Sequence, residues 1–151
     1  PIYFWAQVAR RYGTETHVLF DLWNEPHNVP WSTWKGNAEK IIRAIRGAGA
    51  SETVLIVGGL DYAYDLSPLL DSNNRINDSG PILYATHPYP LKSNPPAMAA
   101  EWDQAFGRVA GTDRGDAAIL DHDADVPGPA LWQQCGFGVQ DHGDSLDRHY
   151  V

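Results

Sequence analysis

The chain has 151 residues, of which 43% are hydrophobic and 20% charged, a composition typical of a folded globular domain. The formal net charge is −8 and only 11 residues are Lys or Arg, which argues against a nucleic-acid partner. No apolar run approaches the roughly 20 residues that span a bilayer, so no membrane partner is expected. The lone Cys135 excludes an internal disulfide.

The first predicted elements are a helix over residues 2–12 and a buried strand over residues 17–23. Apolar residues recur at helical spacing up to Gly13, which is a typical helix stop. A run rich in Val, Leu and Phe follows and ends just before Asn24, as expected of a buried strand with polar residues at its C-terminal end. The chain therefore opens with a helix and then a strand.

The remaining elements continue this alternation of helices and strands. A second helix is indicated by one apolar face, formed by Ala38, Ile41, Ile42 and Ile45. Short apolar runs predict strands over residues 53–57, 82–86 and 117–120, with a polar loop over 71–80 and a helix around 102–109. Alternating short apolar strands and helices indicate a parallel sheet covered by helices, with functional residues at the C-terminal strand ends.

The segment Asn24-Glu25-Pro26 ends the first strand and is the most informative stretch of the chain. A carboxylic acid at a strand end, beside an amide, is suited to general acid catalysis at a glycosidic oxygen. The amide of Asn24 could hydrogen-bond a sugar 2-hydroxyl, a contact that strengthens in the transition state. Taken alone, the triplet is weak evidence for catalysis, and a capping or turn role is the commoner interpretation.

Two further motifs stand in order with this triplet: the helix running from Phe4-Trp5 to Tyr12-Gly13, and the later His87-Pro88-Tyr89. With them the chain resembles glycoside hydrolase family 5, the cellulase family, from about residue 1 to residue 110. The resemblance implies a retaining β-glycosidase on a (β/α)8 barrel that acts on β-1,4-glucan. It also implies a secreted protein. We expect no metal or other cofactor.

The resemblance assigns roles to individual residues. Glu25 would be the catalytic acid/base and Asn24 its substrate-binding neighbour, while His87 and Tyr89 would shape the catalytic subsite. Trp31 and Trp34, three positions apart, could line a sugar subsite because indole rings stack on sugar faces. Trp at helical spacing is as often part of the core, so both interpretations stay open.

The second catalytic carboxylate departs from the family pattern. A retaining mechanism needs a nucleophile about 5 Å from the acid/base, which the family supplies as a Glu at the end of the seventh strand. No Glu follows Glu101, and His122 occupies the position expected from spacing. Asp121 and Asp123 flank it and are the candidates for a weak substitute.

The length predicts an incomplete barrel, since a complete one needs roughly 250 residues. We expect about four parallel strands with covering helices, a half barrel, in a partial catalytic domain over residues 1–125. Residues 126–151 are expected to form an irregular tail. Half a barrel exposes strand edges and apolar interior, which predicts a homo-oligomer.

Two functions remain open from the sequence. The chain is either an endo-β-1,4-glucanase-like enzyme, weakened by the missing nucleophile, or a non-catalytic remnant that binds β-glucan or modulates another cellulase. The acidic segment after residue 120 does not match a calcium-binding EF-hand, because Val126 and Trp132 replace the required Gly and Glu.

Overall fold

The architecture was taken from a computed structural model, which describes residues 1–88, 98–109 and 118–121. Four strands form one parallel sheet in sequence order: β1 (Phe20–Asp21), β2 (Leu55–Gly58), β3 (Ile82–Thr86) and β4 (Ala118–Asp121). The predicted α/β fold with four parallel strands is therefore confirmed.

Helices precede or separate these strands. α1 spans Ile2–Tyr12 and α2 spans Trp31–Gly47; α3 spans Met98–Trp102 and continues as a π-helical turn over Asp103–Gly107. Two short 3-10 helices, Ser67–Leu70 and Ser72–Asn74, lie between β2 and β3, partly within the predicted loop. Among the described residues, no helix has both the length and the apolarity needed to cross a bilayer.

The main core lies between the helices and one face of the sheet. α2 contributes apolar side chains that recur at helical spacing along one face. β1 and β2 contribute apolar side chains to the same cluster. The buried side chains of this core on those three elements are Phe20, Trp31, Trp34, Ala38, Ile41, Ile42, Ile45, Leu55 and Val57. A smaller cluster of Ile56, Leu83 and Ala85 is buried on the sheet's opposite face.

Arg46, near the end of α2, joins this helix to the N-terminal ends of two strands. Its Nε donates to Asp78 at 2.8 Å, and Nη1 donates to the carbonyl oxygens of Ala50 and Thr53 at 2.8 and 2.7 Å. Nη2 reaches the carbonyl oxygen of Pro81 at 3.2 Å. One side chain therefore satisfies four acceptors at the sheet edge opposite the strand ends that carry Glu25 and His87.

An unusual turn follows β2. Leu60–Ala63 forms one turn in which Asp61, Tyr62 and Ala63 have φ of 52°, 64° and 59°, the left-handed region. For residues other than Gly this conformation costs roughly 1–2 kcal/mol per residue, so contacts elsewhere must hold it. We call Leu60–Ala63 the left-handed turn.

Candidate active site

The site begins with the segment after β1. Glu25 is separated from the strand by three residues, and its side chain is 27% exposed, which leaves the carboxyl accessible from one side. Pro26 is buried and fixes the chain direction directly after Glu25, while Asn24 is exposed. The carboxyl therefore stands at the C-terminal edge of the sheet on a constrained backbone.

His87 meets Glu25 from the end of β3. Its Nδ1 lies 3.1 Å from Glu25 Oε1, and its side chain is 9% exposed. Because an ionised carboxylate only accepts hydrogen bonds, Nδ1 carries the proton in that state. The His87 backbone N–H donates to the carbonyl oxygen of Ala63 at 2.9 Å, which attaches this segment to the left-handed turn. Two residues 62 positions apart in sequence are thus brought into contact.

Of the predicted site residues Asp121, Tyr89 and Asp123, the structure describes only Asp121. Asp121 ends β4 and pairs with Thr86, the residue before His87, so its backbone belongs to the same edge of the sheet. Tyr89 and Asp123 lie outside the described residues. The residues brought together among those described are therefore Glu25 and His87, with the backbone of Asp121 on the strand next to β3.

Trp31 and Trp34 pack into the core from α2, where they are 7% and 6% exposed. Trp31 Nε1 donates to the carbonyl oxygen of Asn74, and Trp34 Nε1 donates to that of Gly58, both at 2.9 Å. Little of either side chain is open to solvent, and Trp34 borders a depression of about 510 Å³. This burial favours the core interpretation over the sugar subsite.

Sequence patterns gave no signal for two further residues at this edge. The rings of His27 and Tyr62 stack at 4.4 Å between centroids with planes 9° apart. His27 Nδ1 donates to the backbone oxygen of Glu25 at 2.7 Å, and the Tyr62 N–H donates to that of Pro26 at 3.1 Å. The ring stack and the Tyr62 N–H bond involve the left-handed turn, whose three consecutive positive φ angles follow from no residue preference for Tyr or Ala.

Comparison with known proteins fits this arrangement of a polar strand-end pair on a parallel sheet. The family model for cellulase (glycosyl hydrolase family 5) matches residues 2–120. The chain belongs to glycosyl hydrolase family 5. The predicted family is thereby confirmed over most of the chain, including both Glu25 and His87.

Individual relatives are endoglucanases by name. The chain is 42% identical over 92 residues to the manganese dependent endoglucanase Eg5A of Phanerodontia chrysosporium, a match that covers 56% of this chain and 24% of that enzyme. It is 35% identical over 91 residues to endoglucanase E-5 of Thermobifida fusca, which covers 57% of this chain and 19% of the relative. The chain thus spans about a quarter or less of these relatives.

Solved structures agree on the fold. The beta-glucanase SdGluc5_26A of Saccharophagus degradans, in complex with cellotetraose, is 28% identical with a TM-score of 0.65, covering 79% of this chain and 37% of that one. The Thermobifida fusca endoglucanase Cel5A catalytic domain, also with cellotetraose, is 27% identical with a TM-score of 0.55 and covers 78% of this chain and 37% of that chain. The four strands correspond to part of such a barrel. Within the described residues, no group of three His, Cys, Asp or Glu side chains is arranged to hold a metal ion.

Proposed function

We propose that this chain is a cellulase-type glycoside hydrolase that cleaves β-1,4-glucan by a retaining mechanism, with Glu25 as acid/base. The observation that carries the proposal is the 3.1 Å contact between Glu25 and His87 at the C-terminal edge of the sheet. Relatives over the same segment are named endoglucanases, and two structural neighbours hold cellotetraose. Cello-oligosaccharides are therefore the proposed ligands.

The proposed chemistry has two steps. A carboxylate attacks the anomeric carbon while Glu25 gives its proton to the departing glycosidic oxygen, leaving a glycosyl ester on the protein. Water then attacks the same carbon as Glu25 takes a proton from it and the ester bond breaks. The His87 Nδ1–H stabilises Glu25 whenever its carboxylate is ionised, and Asn24 binds the sugar 2-hydroxyl.

The nucleophile is the weak part of this scheme. No Glu follows Glu101, and Asp is one methylene shorter than Glu. Asp121 is in register with Thr86, which supports it as a substitute, and Asp123 is the other candidate. We therefore propose slow hydrolysis that depends on Glu25 and on Asp121 or Asp123.

A depression of about 620 Å³, which Asp61 of the left-handed turn lines and Glu25 and His87 do not, supports oligosaccharide binding to this chain. Carboxylate and amide groups suit sugar hydroxyls because they accept or donate several hydrogen bonds. Its polar lining residues include Asp61, Asp65, Ser67, Glu101 and Gln104. Tyr64 adds an aromatic ring to the same lining.

Hydrolysis is tested by reducing-sugar release from a soluble β-glucan, comparing the unmodified chain with Glu25→Gln. Gln keeps the size of Glu but cannot transfer a proton, so release should fall by about two to four orders of magnitude. Glu52→Gln is the matched control, because Glu52 is exposed and precedes β2 at the opposite edge of the sheet. Equal release by Glu25→Gln and Glu52→Gln would refute the assignment.

A second function is favoured by the missing Glu: binding of β-glucan without turnover, or modulation of another cellulase. Titration of a cello-oligosaccharide separates the two functions. Binding without sugar release, unchanged in Asp121→Ala and Asp123→Ala, would establish the non-catalytic role.

We also propose a homo-oligomer, on the basis of apolar side chains at the start of α1. Ile2, Tyr3 and Phe4 are 49%, 76% and 60% exposed. Such a cluster gains free energy when a second copy covers it. Light scattering should give a multiple of 16.7 kDa. It should shift to the monomer mass in a Tyr3→Ser, Phe4→Ser double variant, whereas a monomer mass for the unmodified chain would refute the proposal.

Finally, we propose that the protein acts outside the cell, because its polysaccharide substrate is a polymer that cells do not take up whole. Immunodetection in the culture medium of the source organism is the test. Detection in cell lysate alone would contradict this proposal.

A further inference from the structure

The left-handed turn holds three of the four residues other than Gly that have positive φ in the described part of the chain, and it contacts His87 of the candidate active site. Three consecutive residues other than Gly have positive φ: Asp61, Tyr62 and Ala63. Such conformations persist only where surrounding contacts determine them, and they cluster at functional sites. The contacts that hold this turn therefore indicate what it does.

Two of these contacts reach the two sides of the Glu25–His87 pair. The Tyr62 N–H donates to the carbonyl oxygen of Pro26, the residue directly after Glu25, at 3.1 Å. The Ala63 carbonyl oxygen accepts from the His87 N–H at 2.9 Å. Adjacent residues of one turn thus hold the backbone of His87 and that of the residue directly after Glu25, which follow different strands.

The Tyr62 side chain adds a third contact through His27. Its ring stacks on the His27 imidazole at 4.4 Å, and His27 Nδ1 donates to the Glu25 backbone oxygen at 2.7 Å. Because the Glu25 oxygen is a carbonyl, it can only accept, so His27 carries its proton on Nδ1. The stack keeps the imidazole oriented for this bond.

We infer that Tyr62 is a positioning residue: through the left-handed turn and the stacked His27, it sets where the Glu25 carboxyl meets His87. This role rests on the proposed function of Glu25, but it concerns the geometry of the pair before any substrate binds. Tyr62 acts through other residues and needs no contact with the reacting atoms. The turn follows β2 and bonds the segments after β1 and β3, and these contacts offset its conformational cost.

The Glu25–His87 contact is monitored through the NMR chemical shifts of the His87 imidazole, in the full chain without substrate. The change caused by Glu25→Gln defines the signature of a lost carboxylate contact. Tyr62→Ala removes the ring and keeps the backbone N–H, whereas Tyr62→Phe keeps the stack. His27→Ala removes the other ring without changing any residue of the turn and serves as a second variant, since His27 is exposed. Thermal unfolding verifies that each variant is folded.

We expect Tyr62→Ala and His27→Ala each to reproduce most of the His87 change seen in Glu25→Gln, and Tyr62→Phe to restore the unmodified signal. A folded Tyr62→Ala and a folded His27→Ala that both leave the His87 signal unchanged would overturn the inference. So would a Tyr62→Phe variant as perturbed as Tyr62→Ala. Because this experiment measures no turnover, its result can be interpreted even if the chain does not hydrolyse β-glucan.

Discussion

Removal of the Arg46 side chain should destabilise the fold strongly while leaving the candidate active site in place. The Arg46 and Asp78 side chains are 13% and 11% exposed, so solvent screens this pair weakly. Arg46→Ala leaves Asp78 without its cation and removes the Arg46 donors from three backbone carbonyls. Breaking a buried pair costs about 3–5 kcal/mol, a large part of the roughly 5–15 kcal/mol that stabilises a domain.

Urea unfolding followed by Trp fluorescence measures this loss. Arg46→Lys keeps the charge but cannot form the planar fork of hydrogen bonds, so it should recover only part of the stability. Arg43→Ala, on the exposed face of the same helix, should change the free energy of unfolding by no more than about 0.5 kcal/mol. A loss below about 1 kcal/mol for Arg46→Ala would refute the reasoning, since that is the size of an ordinary substitution.

Two further predictions concern glycines and a buried indole. A Cβ on Gly80 would lie 2.7 Å from the Ser51 carbonyl oxygen, so Gly80→Ala should lower the unfolding midpoint, whereas Gly36→Ala in α2 meets no atom within 4 Å and should gain up to about 1 kcal/mol. The reverse order of the two midpoints would contradict both assignments. Trp34→Phe removes the donor to the Gly58 oxygen and should cost about 1–3 kcal/mol in urea unfolding, and an unchanged midpoint would show that this bond contributes little.

The parts of the fold that were predictable from sequence are those with a local periodic signal. The spacing of Ala38, Ile41, Ile42 and Ile45 predicted the buried face of α2, and the structure buries all four. The strand predicted over residues 17–23 was too long, because only Phe20–Asp21 form a ladder with β2. Ladder length depends on a partner distant in sequence, and an apolar run does not contain that information.

The candidate site shows the same division. Glu25 and His87 were singled out from motifs, and the parallel sheet explains why they meet, since both follow C-terminal strand ends. The contributions of His27 and Tyr62 were not predictable. Backbone hydrogen bonds to Pro26 and from His87 hold the turn that contains Tyr62, and no local preference predicts its left-handed conformation.

The central claim, that Glu25 gives a proton to the glycosidic oxygen, is tested most directly by comparing substrates that differ in their need for that proton. The strongly acidic phenol of an aryl cellobioside departs as a phenolate without protonation. The sugar that departs from a cello-oligosaccharide needs a proton on its glycosidic oxygen. We predict that Glu25→Gln slows bond cleavage in the oligosaccharide by about two to four orders of magnitude, and cleavage of the aryl substrate far less. Equal slowing of both substrates would contradict the assignment of Glu25 as the acid.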